Sequence, residues 1–360
     1  MTAMTQPPTY AEKKTAPDGQ SAPEGARASG PAPLDRPPGR TTSGQAGKGA
    51  CPGRTLVMLN RASGRKRARD ETDDLERRIG GMEGFEVRRV DPKAGLEQPV
   101  REAAAQGYDT IVAAGGDGTV SAFSGVLSET GTRLGVLPMG TFNFLARSMG
   151  IPEDIDEALD VLRSGTERRI ALGEINGRTF INNASLGAYA AVLEAREKIY
   201  ARWGRSRLAA YWSVIVAMLT LYRPLKMTVT VDGIEHRVRS PMAFIAIRPY
   251  QLDEYGLEGA DAVRDGQLAL YLAPDGGRLQ LLWRAFKILT RRVNPGEDYR
   301  LMTGSEFVIR TERTRQLVAR DGERERMKGP FTVRLKPDAL GVIVPTQRAT
   351  EGAEETARTE

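Results

Sequence analysis

From residue 54 to residue 165 the chain alternates short apolar runs with charged, helix-prone stretches. The runs at 55–59, 85–90, 110–114 and 133–137 have the length and composition of buried strands. The stretches leading to residue 79 and those at 96–107, 120–127, 142–149 and 154–163 predict helices. Gly150 and Pro152 stop the one at 142–149. Strands and helices in alternation with short loops predict a parallel sheet covered by helices on both faces. Ligands on such a sheet gather beyond the strand C-termini. Asn60, the turn at 115–119 and the loop at 138–143 all fall there, so they are expected to converge on one crevice.

The pattern changes after Gly165. Residues 168–175 and 179–183 predict a hairpin about Asn176-Gly177, and 187–200 a helix. In 208–222 only Ser213 and Thr220 interrupt an apolar and aromatic run. Strand-like runs follow at 225–231, 234–239, 242–247 and 267–273, then a helix over 278–290. Further strands are predicted at 305–310, 315–320, 330–335 and near 341–344. This half reads as a β-rich domain with a few helices. The expected fold is therefore α/β in two domains, over residues 54–165 and 166–345, with the last strands free to pack back on the first. Residues 1–53 hold nine of the 21 prolines and no Ile, Val, Phe or Trp. Such a segment buries too little apolar surface to offset its ordering entropy, so we expect disorder there, Cys51 included, and a frayed tail at 346–360.

Composition narrows the chemistry. Cys51 is the only cysteine and His236 the only histidine. A disulfide frame, a cysteine- or histidine-rich metal site and Ser-His-Asp or Cys-His catalysis are all excluded. Any general base is a carboxylate, Lys or Tyr. The net charge of +6 suits an anionic partner such as a nucleotide or an anionic membrane surface. Aromatic residues make up 6% and do not interleave with basic ones, so nucleic acid is not expected. No apolar run reaches the roughly 18 to 20 residues of a membrane span, and no secretory h-region opens the chain. A soluble cytoplasmic protein is the expectation.

The sharpest motif is Gly115-Gly116-Asp117-Gly118-Thr119 at a strand end. Three glycines expose bare backbone, and turned amides at a helix N-terminus favour phosphate. Asp117 is badly placed for phosphate unless a cation such as nucleotide-borne Mg²⁺ neutralises it. A tight strand-to-helix turn with an Asp N-cap is the plainer alternative. Asn182-Asn183-Ala184-Ser185-Leu186-Gly187 offers amides for a sugar or phosphate, or simply caps a helix. Asp265-Gly266-Gln267 reads as a turn, or as a carboxylate and carbonyl holding a divalent cation. Asp321-Gly322-Glu323 reads as a solvated turn, or as the carboxylate base that phosphoryl transfer to an alcohol needs. Arg202-Trp203-Gly204-Arg205-Ser206-Arg207 before the 208–222 run suits either a buried core helix or a helix facing lipid.

In order along residues 54–345, these motifs resemble the diacylglycerol kinase catalytic-domain family, soluble lipid kinases that include sphingosine and ceramide kinases. The resemblance rests on Asn60-x-x-Ser63-Gly64, on the Gly115–Thr119 motif, and on Leu137-Pro138-x-Gly140-Thr141-x-Asn143-x-x-Ala146-Arg147. It extends through Asn183-x-x-x-Gly187, Asp265-Gly266-x-Leu268 and Asp321-Gly322-Glu323. It implies an ATP-binding α/β domain, a β-sandwich lipid domain and a cleft between them. It implies Mg²⁺-dependent transfer of the ATP γ-phosphate to a lipid hydroxyl, diacylglycerol first among the acceptors. Asn60, Ser63, Gly64, Gly116, Asp117, Gly118, Thr119, Gly140, Thr141 and Asn143 would line the ATP site, with Asp117 acting through Mg²⁺. Asp321 would be the proton acceptor with Glu323 beside it, and Asp265 with the Gln267 carbonyl would hold a second metal. Arg61 stands where the family often has Pro, and Ile247-Arg248-Pro249 where it commonly shows Asn. An Arg there would favour an anionic head group. A peripheral membrane association follows, and open sandwich edges suit a homodimer. The competing readings are an NAD kinase, which shares a related Gly-Gly-Asp-Gly loop, and a catalytically inactive nucleotide or lipid sensor.

Overall fold

The computed structural model describes residues 53–60, 69–187 and 224–346. The N-terminal extension with Cys51, the loop with Ser63 and Gly64, the helix expected beyond Gly187, the 202–222 stretch and the tail from 347 lie outside the described residues.

Four strands form the parallel part of the fold in the order β2 (Phe85–Val90), β1 (Thr55–Asn60), β3 (Thr110–Gly115), β4 (Arg133–Pro138). β1 and β3 are buried at every position, as strands covered on both faces must be. Helices α1 (Arg69–Gly80), α2 (Glu97–Ala105), α3 (Asp117–Leu127), α4 (Phe144–Ser148) and α5 (Ile155–Ser164) follow the strands. Their apolar residues, among them Ile79, Val100, Phe123, Leu127 and Leu159, close the core around the sheet. Asp154 caps α5 by accepting from the amides of Asp156 and Glu157.

The sheet continues past β4. The 14-residue β16 (Phe331–Val344) lies parallel to β4 at Val342 and antiparallel to β13 (Glu306–Thr311) at its other end. β5 (Thr166–Ile175) pairs with β16 along almost its whole length, and β6 (Arg178–Phe180) folds back on β5 about Asn176-Gly177. β8 (Leu225–Val231) and β9 (Ile234–Ser240) complete a ten-stranded sheet. A second, antiparallel sheet runs β12 (Arg300–Gly304), β11 (Leu268–Leu272), β10 (Met242–Ala246), β7 (Asn183–Gly187), β14 (Arg315–Arg320), β15 (Glu323–Lys328). Phe180, Leu186, Val229, Ile245, Leu270, Phe307, Ile309 and Phe331 fill the space between the two sheets. Helices α6 (Pro249–Tyr255), α7 (Ala260–Arg264) and α8 (Arg278–Leu289) lie along the connections.

The α/β domain and the β-sandwich are thus both present, joined by the β5–β16 ribbon. Three local expectations differ. The strands predicted at 330–335 and 341–344 are one strand, because a bulge between Lys336 and Leu340 absorbs Pro337. The strand expected at 179–183 ends at Phe180, and the chain then crosses to open β7 in the other sheet. Residues 183–187 therefore form strand, not a helix cap. The sequence pattern also missed β12, β15, α6 and α7, whose polar faces hide their periodicity.

Candidate active site

Two glycine loops meet at the C-terminal edge of the parallel strands. Gly116 is extended and precedes Asp117, the first residue of α3. A Cβ on Gly140 would lie 2.6 Å from the Gly116 Cα, so the loops pass backbone against backbone with no room for a side chain. A Cβ on Gly115 would lie 2.5 Å from the Thr119 hydroxyl. That hydroxyl accepts a buried hydrogen bond from the Asn60 amide at 2.8 Å, tying the end of β1 to the first turn of α3. Asn143 adopts a left-handed conformation (φ 49°) and accepts from the Gly140 amide at 2.9 Å. The Asp117 carboxylate accepts from the Phe144 amide at 2.7 Å, across the two loops. Asn60, Gly116, Asp117, Thr119, Gly140 and Asn143 are therefore brought together, with Gly118 and Thr141 exposed on the same loops.

The second half of the chain delivers a carboxylate to this edge. Asp321-Gly322 is a two-residue turn between β14 and β15, both residues at positive φ (47° and 91°), as a type I′ hairpin requires. Asp321 Oδ1 accepts from the amides of Asn182 (2.8 Å) and Asn183 (3.1 Å). Its Oδ2 accepts from the Ile181 amide and from the Ser121 hydroxyl, each at 2.7 Å. Ser121 lies one turn after Asp117 on the same face of α3. The two carboxylates thus face each other closely enough to interact. The Asp117 carboxyl is pushed up by burial and by the charge on Asp321, more than the Phe144 and Asn143 amides pull it down. Burial also pushes Glu323 up, with further contributions from Glu97 and Asp321, although its side chain keeps an open face to solvent.

The Asn182-Asn183 pair acts differently from the sequence expectation. Its backbone amides grip Asp321, while the Asn183 side chain turns to Gln251 at 3.4 Å. The Asn182 side-chain oxygen and the Ser185 hydroxyl are buried without a hydrogen-bond partner among the described residues. Arg248 is also reassigned. It is 6% exposed and donates to the carbonyls of Ile181 (2.7 Å) and Ala171 (2.8 Å), so it is spent inside the fold and not on a head group. Desolvation brings its pKa down to about 10, against the pull of Asp321. By holding Ile181 it fixes one of the amides that hold Asp321. Nothing local in the sequence signals that role.

No three His, Cys, Asp or Glu side chains gather into a metal cluster among the described residues. A nucleotide-borne Mg²⁺ nevertheless fits the first site: Asp117 is half-buried, has no ion-pair partner among the described residues, and faces a second carboxylate. The donor set at Asp265 is thinner. Asp265 and Gln267 are exposed beyond α7, and the nearby Asp253 and Asp261 are already paired with Arg264. One carboxylate and one carbonyl leave most of about six oxygen positions to water, which fits a loosely held ion and not a closed cage.

A parallel sheet with paired glycine loops is thus continued into an antiparallel sandwich that returns a carboxylate to those loops. Residues 54–175 match the family described as the diacylglycerol kinase catalytic domain. Residues 182–344 match the YegS C-terminal NAD kinase beta sandwich-like domain. Residues 54–175 thus carry the diacylglycerol kinase catalytic domain. A diacylglycerol kinase of Bacillus subtilis is 38% identical over 137 residues, 37% of this chain and 44% of that one. A lipid kinase of the YegS-like type from Cronobacter sakazakii is 38% identical over 109 residues, 29% of this chain and 36% of that one. The matched segment thus spans less than half the length of these relatives. The crystal structure of a diacylglycerol kinase from Bacillus anthracis superposes with a TM-score of 0.61 at 20% identity, over 81% of this chain and 96% of that one. That likeness concerns the fold.

Proposed function

We propose that this chain is a lipid kinase that transfers the γ-phosphoryl group of ATP to a lipid hydroxyl at a membrane surface, with diacylglycerol as acceptor and phosphatidic acid as product. The observation that carries the reading is the hydrogen bond from Ser121 to Asp321, which sets a carboxylate from the sandwich beside the phosphate-type loops of the α/β domain. The amides at Gly116–Gly118, at the N-terminus of α3, are suited to phosphate oxygens. Mg²⁺, held by Asp117, would neutralise charge on those oxygens. Asp321 is the proton acceptor in this reading. Four donors fill both its oxygens, and only the Ser121 hydroxyl is a side chain free to turn away. The lipid hydroxyl takes that place on Oδ2, gives up its proton there, and its oxygen bonds to the γ-phosphorus as the bond to the β–γ bridging oxygen breaks and ADP leaves.

The NAD kinase-like description of the sandwich favours NAD as the second acceptor to examine. Labelled ATP with Mg²⁺ is offered diacylglycerol, monoacylglycerol, sphingoid bases, ceramide, phosphatidylglycerol and NAD, and the products are separated by chromatography. Label in phosphatidic acid is the expected result. Label on NAD alone would overturn the lipid assignment and keep the nucleotide site. Bound ATP with no labelled product would favour an inactive sensor.

A further inference from the structure

Helix α8 wears its amphipathicity inside out. Leu279, Trp283 and Phe286 are 75%, 58% and 51% exposed, and are three of the five large hydrophobic side chains exposed among the described residues. At about 100° per residue they fall within roughly 60° of one another around the helix. Trp283 and Phe286 stack, with ring centroids 5.5 Å apart. The inward side holds the buried Leu281, flanked by cations that anchor the helix. Lys287 donates to both carboxylate oxygens of Asp298 at 3.0 Å, and Asp298 is 7% exposed. Arg284 donates to the Pro274 carbonyl at 2.6 Å, and Leu281 packs with Ala273 and Met242. The protein thus anchors this helix by its cations and presents its aromatic residues to the outside.

Positive charge surrounds that apolar stripe. Arg278 begins the helix, and Arg291 and Arg292 follow it; all three are exposed and none has an ion pair among the described residues. An apolar stripe with Trp and Phe between unpaired arginines is complementary to the interface of an anionic bilayer: rings among the upper acyl segments, guanidinium groups among the head-group phosphates. The position agrees. Ala243 pairs with both Leu186 and Leu272, and Ala246 with both Asn183 and Ala269. α8 therefore leaves the second sheet at the end opposite Asn183 and Asp321. About 13 Å of strand, at roughly 3.3 Å per residue, separates the two ends of β7. That is shorter than an extended fatty acyl chain, so a lipid with its hydroxyl at Asp321 has tails long enough to reach the docked end.

We propose that the Leu279–Trp283–Phe286 face of α8, with Arg278, Arg291 and Arg292, docks the protein on an anionic lipid bilayer. This deepens the lipid-kinase reading and rests on it for its purpose, but the binding it describes is measurable without turnover.

The test is flotation of the full chain with phosphatidylcholine vesicles, with and without phosphatidylglycerol, together with its tryptophan emission. Wild type is expected to float with the phosphatidylglycerol vesicles and to show a blue-shifted component that Trp283→Phe removes. Trp283→Ser with Phe286→Ser is expected to lower the vesicle-bound fraction about tenfold. Phosphorylation of a short-chain diacylglycerol dispersed in micelles should be unchanged in that variant. Arg291→Glu with Arg292→Glu should abolish the preference for phosphatidylglycerol. Flotation of the double-serine variant equal to wild type would overturn the proposal. So would a Trp283 signal already blue-shifted and unquenchable before vesicles are added, which would assign the face to the chain's own 208–222 segment. A dimer that the double-serine variant dissolves without loss of flotation would assign it to a second copy. Trp283-dependent flotation with no lipid phosphorylated would sink the kinase reading and leave the docking face standing.

Discussion

The Ser121 hydroxyl and the Asp321 carboxylate are 200 residues apart in the chain and 2.7 Å apart in space. Ser121 rides on the helix that Asp117 opens, and Asp321 sits at the tip of a hairpin in the sandwich. Three backbone amides orient Asp321 and hold it; in the proposed reaction the substrate hydroxyl takes the place of Ser121. Ser121→Ala is therefore expected to keep kcat within about threefold and to lower KM for the lipid. Asp321→Asn is expected to reduce kcat by about 10³, within the usual range for a lost general base. Steady-state kinetics on the two variants checks both. A loss in Ser121→Ala as deep as in Asp321→Asn would make Ser121 an obligatory proton relay.

Asp117 carries a stability consequence of the same geometry. Burial and the neighbouring Asp321 raise its carboxyl above the ordinary value of 3.8. The folded state therefore favours the protonated form, and stability falls as pH rises from the unfolded value through the raised one. Asp117→Asn removes that penalty at neutral pH and keeps an oxygen for the Phe144 amide. Its melting temperature without nucleotide should rise by about 2 °C at pH 8 and match wild type at pH 4. Activity should fall by about 10² to 10³ with the loss of the cation's holder. Thermal shift at the two pH values, with and without Mg²⁺ and ATP, is the measurement. A variant less stable than wild type at pH 8 would contradict the assignment of the shift.

What was legible in the sequence follows from how local its cause is. The glycine loops could be read because Gly116 and Gly140 pass backbone against backbone and Gly115 lies against the Thr119 side chain, so none leaves room for a Cβ. Asp321-Gly322 could be read as a turn because positive φ at two successive residues restricts composition. The partners of Asp321 could not, since its donors come from residues 138 to 200 positions away. Asn182 and Asn183 were polar residues before a glycine and looked like a cap; their side chains matter less to the site than their amides. Arg248 looked available because a charged residue ordinarily stays at the surface. Its burial is explained only by two carbonyls, that of Ile181 where the chain crosses between sheets and that of Ala171 in β5 opposite the bulge of β16. The runs at 330–335 and 341–344 looked like two strands because the bulge that joins them is set by pairing with β5, which the local sequence does not show. The functional roles came from the resemblance, and the geometry then supplied their neighbours.

Gly140 and Gly116 constrain each other. A methyl group at Gly140 would meet the Gly116 Cα at 2.6 Å and the Asn143 side-chain oxygen at 2.7 Å. Backbone cannot yield as a flexible side chain does, so the two loops must separate. Gly140→Ala is expected to destabilise the protein by about 2 kcal/mol, typical of overpacking. It should also raise KM for ATP about tenfold while KM for the lipid is unchanged. Chemical denaturation and kinetics with each substrate varied provide the check. An unchanged KM for ATP would detach the 138–143 loop from the nucleotide.

Glu174 lies on the ribbon that joins the two halves and gives the fold an acid limit. It is 5% exposed; burial alone would raise its carboxyl, but the Lys336 ammonium and the Arg334 guanidinium, 2.8 Å away, reverse this and hold it below the ordinary 4.5. Its contribution is therefore complete above the unfolded value and is lost as pH falls through the lowered one. Arg334 and Lys336 keep 57% and 45% of their side chains exposed, so solvent screening limits the effect. Glu174→Gln should reduce stability by about 1 to 2 kcal/mol at pH 7. The difference from wild type should shrink below about pH 4 and vanish once Glu174 is protonated in both states. Urea unfolding across pH 3 to 7 measures the two curves. Convergence at low pH assigns the acid sensitivity to this ribbon, and curves that stay parallel would place it elsewhere in the fold.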